Sequence, residues 1–248
     1  MKKGLLALCF MACSALSVTS FAQNKVSDAQ RRINAAVMAV YNEELAKNPY
    51  DYALLYSRAN QYFLNGEYLK SLEDINNSIK YMPKSDESTM FEAHVLRAKI
   101  YVIRKENAAA IMDLKIANTI KPTDQHTLLL LGNMCVESGD LESARTAYKT
   151  LQRMNSLDYN ALAGLAKVAV KEGNYDEAAT YANRAVDLFP AEPRVYLNRS
   201  DVLVMMNDYK GAAQDIISAI SVSNDISGAL QRLVDMSDTN CSDVMDAL

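Results

Sequence analysis

A chain of 248 residues, half of them hydrophobic and 23% charged, carries enough apolar mass for one or two packed domains and is not a disordered chain. Its formal net charge of −4 argues against nucleic acid as a partner. Four cysteines, two of them within the first 13 residues, make no disulfide framework.

The first segment reads as a leader. Lys2 and Lys3 precede the mostly apolar run from Gly4 to Val18, and Ser20-Phe21-Ala22 places small residues where a signal peptidase reads. Residues 1–22 are expected to be a signal peptide cleaved after Ala22, giving an exported, periplasmic or secreted protein of bacterial type that begins at Gln23. The apolar run is short for a membrane span, and no later run is longer, so no membrane insertion is expected after cleavage. Leu8 before Cys9 and Phe10-Met11-Ala12 before Cys13 argue against a lipidated cysteine. Cys135 lies in an apolar helical pattern and reads as a small core residue, although an oxidising compartment permits pairing with Cys241.

Residues 23–51 are expected to form an N-terminal capping helix. Ile33, Ala36, Val37, Val40 and Tyr41 fall on one of its faces, and Asn48-Pro49 ends it. Beyond it, self-comparison shows a period. Gly66-Glu67-Tyr68, Gly139-Asp140-Leu141, Gly173-Asn174-Tyr175 and Asn207-Asp208-Tyr209 share one form, and the last three begin 34 residues apart. The units are 52–85, 91–124, 125–158, 159–192 and 193–226, with residues 86–90 between the first two. Position 8 of the unit holds Ala59, Ala98, Gly132, Ala166 and Ser200. Position 20 holds Ser71, Ala110, Ala144, Ala178 and Ala212, and position 27 holds Ser78, Ala117, Leu151, Ala185 and Ala219. Small residues at fixed places let two helices approach closely. Each unit is therefore expected to be a helix, a tight turn and a second helix. Gly66, Gly139 and Gly173 suit a left-handed turn residue, and Asn207 takes that conformation at modest cost. Lys105 would be strained there, so the second turn is expected to differ. Residues 227–248 are expected to close the array, with Ile226, Leu230, Leu233 and Val234 on one face of a C-terminal capping helix followed by a polar tail.

This pattern resembles the tetratricopeptide repeat (TPR) family. Unit four carries its signature in Ala166, Gly173, Tyr175, Ala178, Ala185 and Pro190; the chain departs from it in lacking Trp at position 4 and in placing Ser156 and Asn224 at proline positions. The resemblance implies an all-α fold, a right-handed α-solenoid of about five helix–turn–helix units with N- and C-terminal capping helices.

Position 7 reads Arg58, Arg97, Leu131, Leu165 and Arg199, while position 23 reads Asp74, Asp113, Ala147, Tyr181 and Asp215. Arginine and aspartate thus come and go together. Three ion pairs inside units are expected, Arg58–Asp74, Arg97–Asp113 and Arg199–Asp215, holding each helix pair together in preference to binding a ligand anion.

The constellations of catalysis are missing from the sequence. His94 occupies a packing position and His126 a helix start, neither with a metal-ligand neighbour. No nucleophile elbow, P-loop or dinucleotide fingerprint occurs, and Asp238, Asp243 and Asp246 lack the spacing of a Ca²⁺ loop. No enzymatic activity, cofactor or metal is expected.

The resemblance implies that the first helices of successive units present a concave wall on which a protein or peptide lies. Tyr56, Asn60, Lys99, Asn133, Asn160, Lys167, Arg194 and Asn198 are the candidates on that wall, with position 9 supplying an Asn or Lys at four rungs. Lys99, Lys167 and Arg194 oppose the acidic net charge and suit a partner with an acidic group or a free C-terminal carboxylate. The carboxylate clamp of chaperone-binding family members is matched here only at Asn60. The expected function is a non-catalytic protein- or peptide-binding scaffold. Two alternatives are a chaperone or assembly factor for envelope complexes and a non-catalytic regulatory subunit of an enzyme.

Overall fold

Acidic side chains start most of the helices. Asp51, Asp86, Asp124, Asp158 and Glu192 each accept a hydrogen bond from a backbone N–H in the first turn of the helix that follows. Those amides have no partner within the helix, and a carboxylate also opposes the positive end of the helix dipole. Asp140 and Asp208 do the same for two of the second helices. In a computed structural model that describes residues 28–223 and 227–239, the described residues form α-helices joined by turns. They are α1 Asp28–Lys47, α2 Tyr52–Leu64, α3 Tyr68–Tyr81, α4 Glu87–Ile103, α5 Asn107–Ile120, α6 Gln125–Ser138, α7 Leu141–Met154, α8 Tyr159–Lys171, α9 Tyr175–Leu188, α10 Pro193–Met205, α11 Tyr209–Val222 and α12 Ser227–Thr239. The fold is the all-α, helix–turn–helix repeat architecture of an α-solenoid. Residues 1–22, Ile226 and Cys241 lie outside the described residues.

The chain divides into two compact units at Gly139–Asp140. In the first, Ala59, Ile75, Ala93, Leu96 and Ile100 form the central cluster, flanked by Tyr52, Phe63 and Tyr68. Phe91, Val95 and Ala117 make a second one. In the other, Ala166, Ala169, Ala178, Ala182 and Val202 form one cluster, and Leu162, Ala185 and Val195 another. Ala229, Leu233 and Met236 of α12 close onto Ala212, Ala213 and Ile216 of α11. Of the face expected of this helix, Leu233 is buried, while Leu230 and Val234 are only half-buried and Ala229 and Met236 complete the contact.

Every residue at position 8 or 20 is buried. Two serines at small-residue positions, Ser71 at position 20 and Ser78 at position 27, donate their hydroxyls to carbonyls of the facing helix. Ser71 reaches the Ala59 carbonyl at 2.7 Å and Ser78 the Tyr52 carbonyl at 2.8 Å. The close approach therefore leaves no buried hydroxyl without a partner at these two places.

Three details depart from expectation. Lys105 takes the left-handed conformation, with φ 61°, alongside Asn207 at 62° and the glycines Gly66, Gly139 and Gly173 at 78–83°. The second turn does not differ; the pull of two packed helices outweighs the local strain of a side chain there. Residues 86–90 do not merely separate units: Asp86 caps α4 and residues 87–90 form its first turn. In α1, Ile33 and Val40 are more than half exposed and Ala36 is exposed as well; among the described side chains of this helix Leu45 is the buried one.

Lys105→Gly should stabilise the protein by about 1 kcal/mol, seen as a higher midpoint in thermal or urea unfolding, because glycine removes the left-handed penalty. Gly164 has the Tyr148 ring where a Cβ would stand, and Tyr148 is fully buried. Gly164→Ala should therefore destabilise by roughly 1–3 kcal/mol in the same assay.

Candidate functional site

Three charged clusters of one design recur along the chain. Arg58 Nε and Nη2 donate to the two carboxylate oxygens of Asp74 at 2.6 and 2.8 Å. Arg97 forks onto Asp113 at 2.8 Å through both nitrogens, and Arg199 onto Asp215 at 2.7 and 2.6 Å. The aspartates are buried, and about a fifth to a quarter of each arginine side chain is exposed. Hydrogen bonds to the aspartates raise the arginine pKa values. These are the expected intra-unit pairs.

Sequence reasoning missed the third member. The remaining guanidinium nitrogen, Nη1, donates to Asn42 from Arg58, to Asn76 from Arg97 and to Asn183 from Arg199, at 2.8–2.9 Å. Each asparagine sits on the helix before the arginine's own, at position 25 of the unit register. Where position 7 is leucine, the matching residue upstream is Lys115 or Lys149. That alternation was the available signal. The clusters therefore join successive helix pairs as well as the two helices of one pair.

His94 is more than a packing residue. Its Nδ1 lies 2.8 Å from Asp113 Oδ1. A carboxylate can only accept, so Nδ1 carries the hydrogen. Burial pushes the Asp113 carboxyl up, but the hydrogen bonds from Arg97 and His94 outweigh it and hold the group below the usual carboxylate range. Farther along, Arg145 reaches Glu172 and, at 3.0 Å, Glu177, which raises its pKa. This pairing links α7 to α8 and α9, whose unit has Leu165 in place of the arginine.

The predicted wall residues fall on first helices. In the unit of residues 24–139, Asn60 and Asn133 are exposed, and Tyr56 and Lys99 are half-buried. Burial, then the charge of Glu92, pushes the Tyr56 phenol up. Lys99 has no ion-pair partner among the described residues. In the other unit Arg194 is exposed and likewise has no such partner, while Asn160 and Asn198 are half-buried. Lys167 differs: it pairs with Asp201 at 3.0 Å, and Asp201 also accepts from Arg232 of α12 at 2.5 Å. The Lys167 charge is answered inside the protein, one repeat away. Among the described residues no cluster of His, Cys, Asp and Glu could hold a metal ion, and no helix is long and apolar enough to cross a membrane.

The repeat geometry agrees with comparison to known proteins. Residues 129–193 and 164–220 match the family model described as tetratricopeptide repeat. Residues 129–220 are tetratricopeptide repeats, and the chain has the TPR fold. A TPR protein from Parabacteroides merdae superposes with a TM-score of 0.69, 19% identity, and coverage of 88% of this chain and 87% of its own. YrrB, described as a TPR protein with an unusual peptide-binding site, superposes at 0.56 with 17% identity over 77% of this chain and 96% of its own. Anaphase-promoting complex subunit 3 of Schizosaccharomyces pombe is 25% identical over 121 residues, which is 49% of this TPR chain but only 18% of that subunit. The TPR fold is that of a protein-interaction scaffold.

Arg199→Leu should cost about 2–4 kcal/mol in urea unfolding, because Asp215 is left buried without its partner. Arg199→Leu with Asp215→Ala should recover part of that loss. Additive losses in the double-mutant cycle would refute the pairing.

Proposed function

We propose that this TPR protein is a non-catalytic scaffold that holds a protein or peptide against the polar face of its first helices. It would act in the bacterial periplasm or cell envelope after the leader is removed following Ala22. The observation that carries this reading is the imbalance of charge satisfaction. Arg58, Arg97, Arg145, Arg199 and Lys167 all have carboxylate partners within the protein. Lys99 and Arg194, on the wall, have no ion-pair partner among the described residues. A cation fixed on a helix and left without a counter-charge is ready for a carboxylate from outside.

In the first unit Tyr56, Asn60 and Asn133 accompany Lys99 and offer donors to the carbonyls of an extended segment. In the other, Asn160 and Asn198 accompany Arg194, and Lys167 would serve a ligand only by leaving Asp201. Peptide binding by YrrB supports this use of the fold. The partner favoured is one with an acidic side chain or a free C-terminus. An assembly factor with several clients and a regulatory subunit of one enzyme share this surface chemistry and differ in the number of partners.

The test is recovery of the tagged protein from the envelope fraction of its native host. Its intact mass should correspond to a chain beginning at Gln23, and a bound protein should accompany it. Lys99→Ala with Arg194→Ala should weaken that association about tenfold or more, with the thermal midpoint nearly unchanged. An unaltered affinity would remove the wall from the account.

A further inference from the structure

In repeats one, two, four and five the second helix buries the face built on positions 20, 23 and 27 against the first helix of its own repeat. The Asn42–Arg58 contact places α1 in the same register as a second helix, because Asn42 then stands at position 25, like Asn76 and Asn183. Its positions 20, 23 and 27 are Val37, Val40 and Glu44. No helix precedes α1 among the described residues, and the face carrying Ile33, Ala36 and Val40 is exposed. The opposite side of α1 is used: Leu45 is buried and Asn34 donates to Asn65 beyond the end of α2.

The uncovered face specifies its occupant. At position 23, where three units carry a buried aspartate for an arginine, α1 carries Val40, so an arginine from a covering helix would find no acid there. The stripe is apolar at its centre and has small neighbours, Ala35, Ala36 and Ala39, that allow a close helix approach. Its ends carry net charges of opposite sign: Asp28, Arg31 and Arg32 near the N-terminus, Glu43, Glu44 and Lys47 near the C-terminus. A helix with an apolar stripe, one basic end and one acidic end is complementary to itself in antiparallel orientation.

We propose that two copies of this chain associate through α1, packed antiparallel about a two-fold axis near Met38. Ala36 of each copy then faces Val40 of the other, and Arg32 of each copy meets Glu43 and Glu44 of the other. The interface is isologous and closes at two copies. Each α1 stands, relative to its neighbour, where the first helix of a unit stands relative to the second. Lys47 holds Glu43 and Glu44 within one copy, at 3.0 and 2.8 Å, but these are largely exposed pairs and give way readily to Arg32 of a second copy. One pair of 20-residue helices buries less than a standard protein interface, so the association is a weak and reversible one.

Sedimentation equilibrium on the protein produced from the full sequence tests this. The wild type should approach twice the chain mass at tens of micromolar. Arg32→Glu should weaken association about tenfold or more, because the new carboxylate then meets Glu43 and Glu44 of the other copy. Glu43→Arg with Glu44→Arg should do the same with the signs reversed. Mixing the two variants should restore a heterodimer, because every cross-contact is again between opposite charges. Arg32 and Glu43 are exposed and Glu44 is only partly buried, so circular dichroism should show the helix content unchanged. A wild type that stays at one chain mass overturns the proposal. So does a dimer whose strength is indifferent to both variants, or a mixture that does not recover.

Discussion

Everything in this protein depends on how closely two helices can lie. Residues without a large side chain at positions 8 and 20 set that distance, and their neighbours follow from it. The Arg–Asp fork spans 2.6–2.8 Å only because the helices that carry it are already drawn together. The strained φ of Lys105 has the same origin. A turn that must connect two helices at this spacing imposes a left-handed residue, whatever side chain stands there.

Polar groups between such helices have to be satisfied from within, and the chain does this by repetition. A buried aspartate receives two hydrogen bonds from its arginine, and the arginine gives its remaining donor to an asparagine one helix upstream. Asp113 shows the arrangement at its fullest, with His94 added to Arg97. Burial alone would favour the protonated acid, but the donors around it reverse that preference. Where leucine replaces the arginine, as at Leu165, the link between helix pairs is carried at the surface by Arg145. The same need for continuity is met by two chemistries, one on a buried aspartate and one on two partly exposed glutamates.

This economy separates scaffold from surface. Charges that look like a ligand site in the sequence, such as Arg58 and Asp74, answer each other. Lys167, which reads as a free rung, answers Asp201, and Arg232 of the last helix joins the same carboxylate. Lys99 and Arg194 have no such answering carboxylate among the described residues.

Much of the fold was legible because each repeat poses one packing problem and solves it at the same offset. Positions 7 and 23 vary together inside a unit, so Arg58, Arg97 and Arg199 could be matched to their aspartates by comparing the chain with itself. The turn glycines and the small residues at positions 8 and 20 were legible for the same reason. Tertiary structure alone decided what happens between repeats and at the ends. Asn42, Asn76 and Asn183 belong to the helix before the arginine they bind, and Lys167 is paired by a residue 34 positions away. The burial of Leu45 and the exposure of Ile33 and Val40 turn on which neighbours α1 has. A period records what every unit shares; a contact across units, or a face without a neighbour, depends on which helix stands beside it.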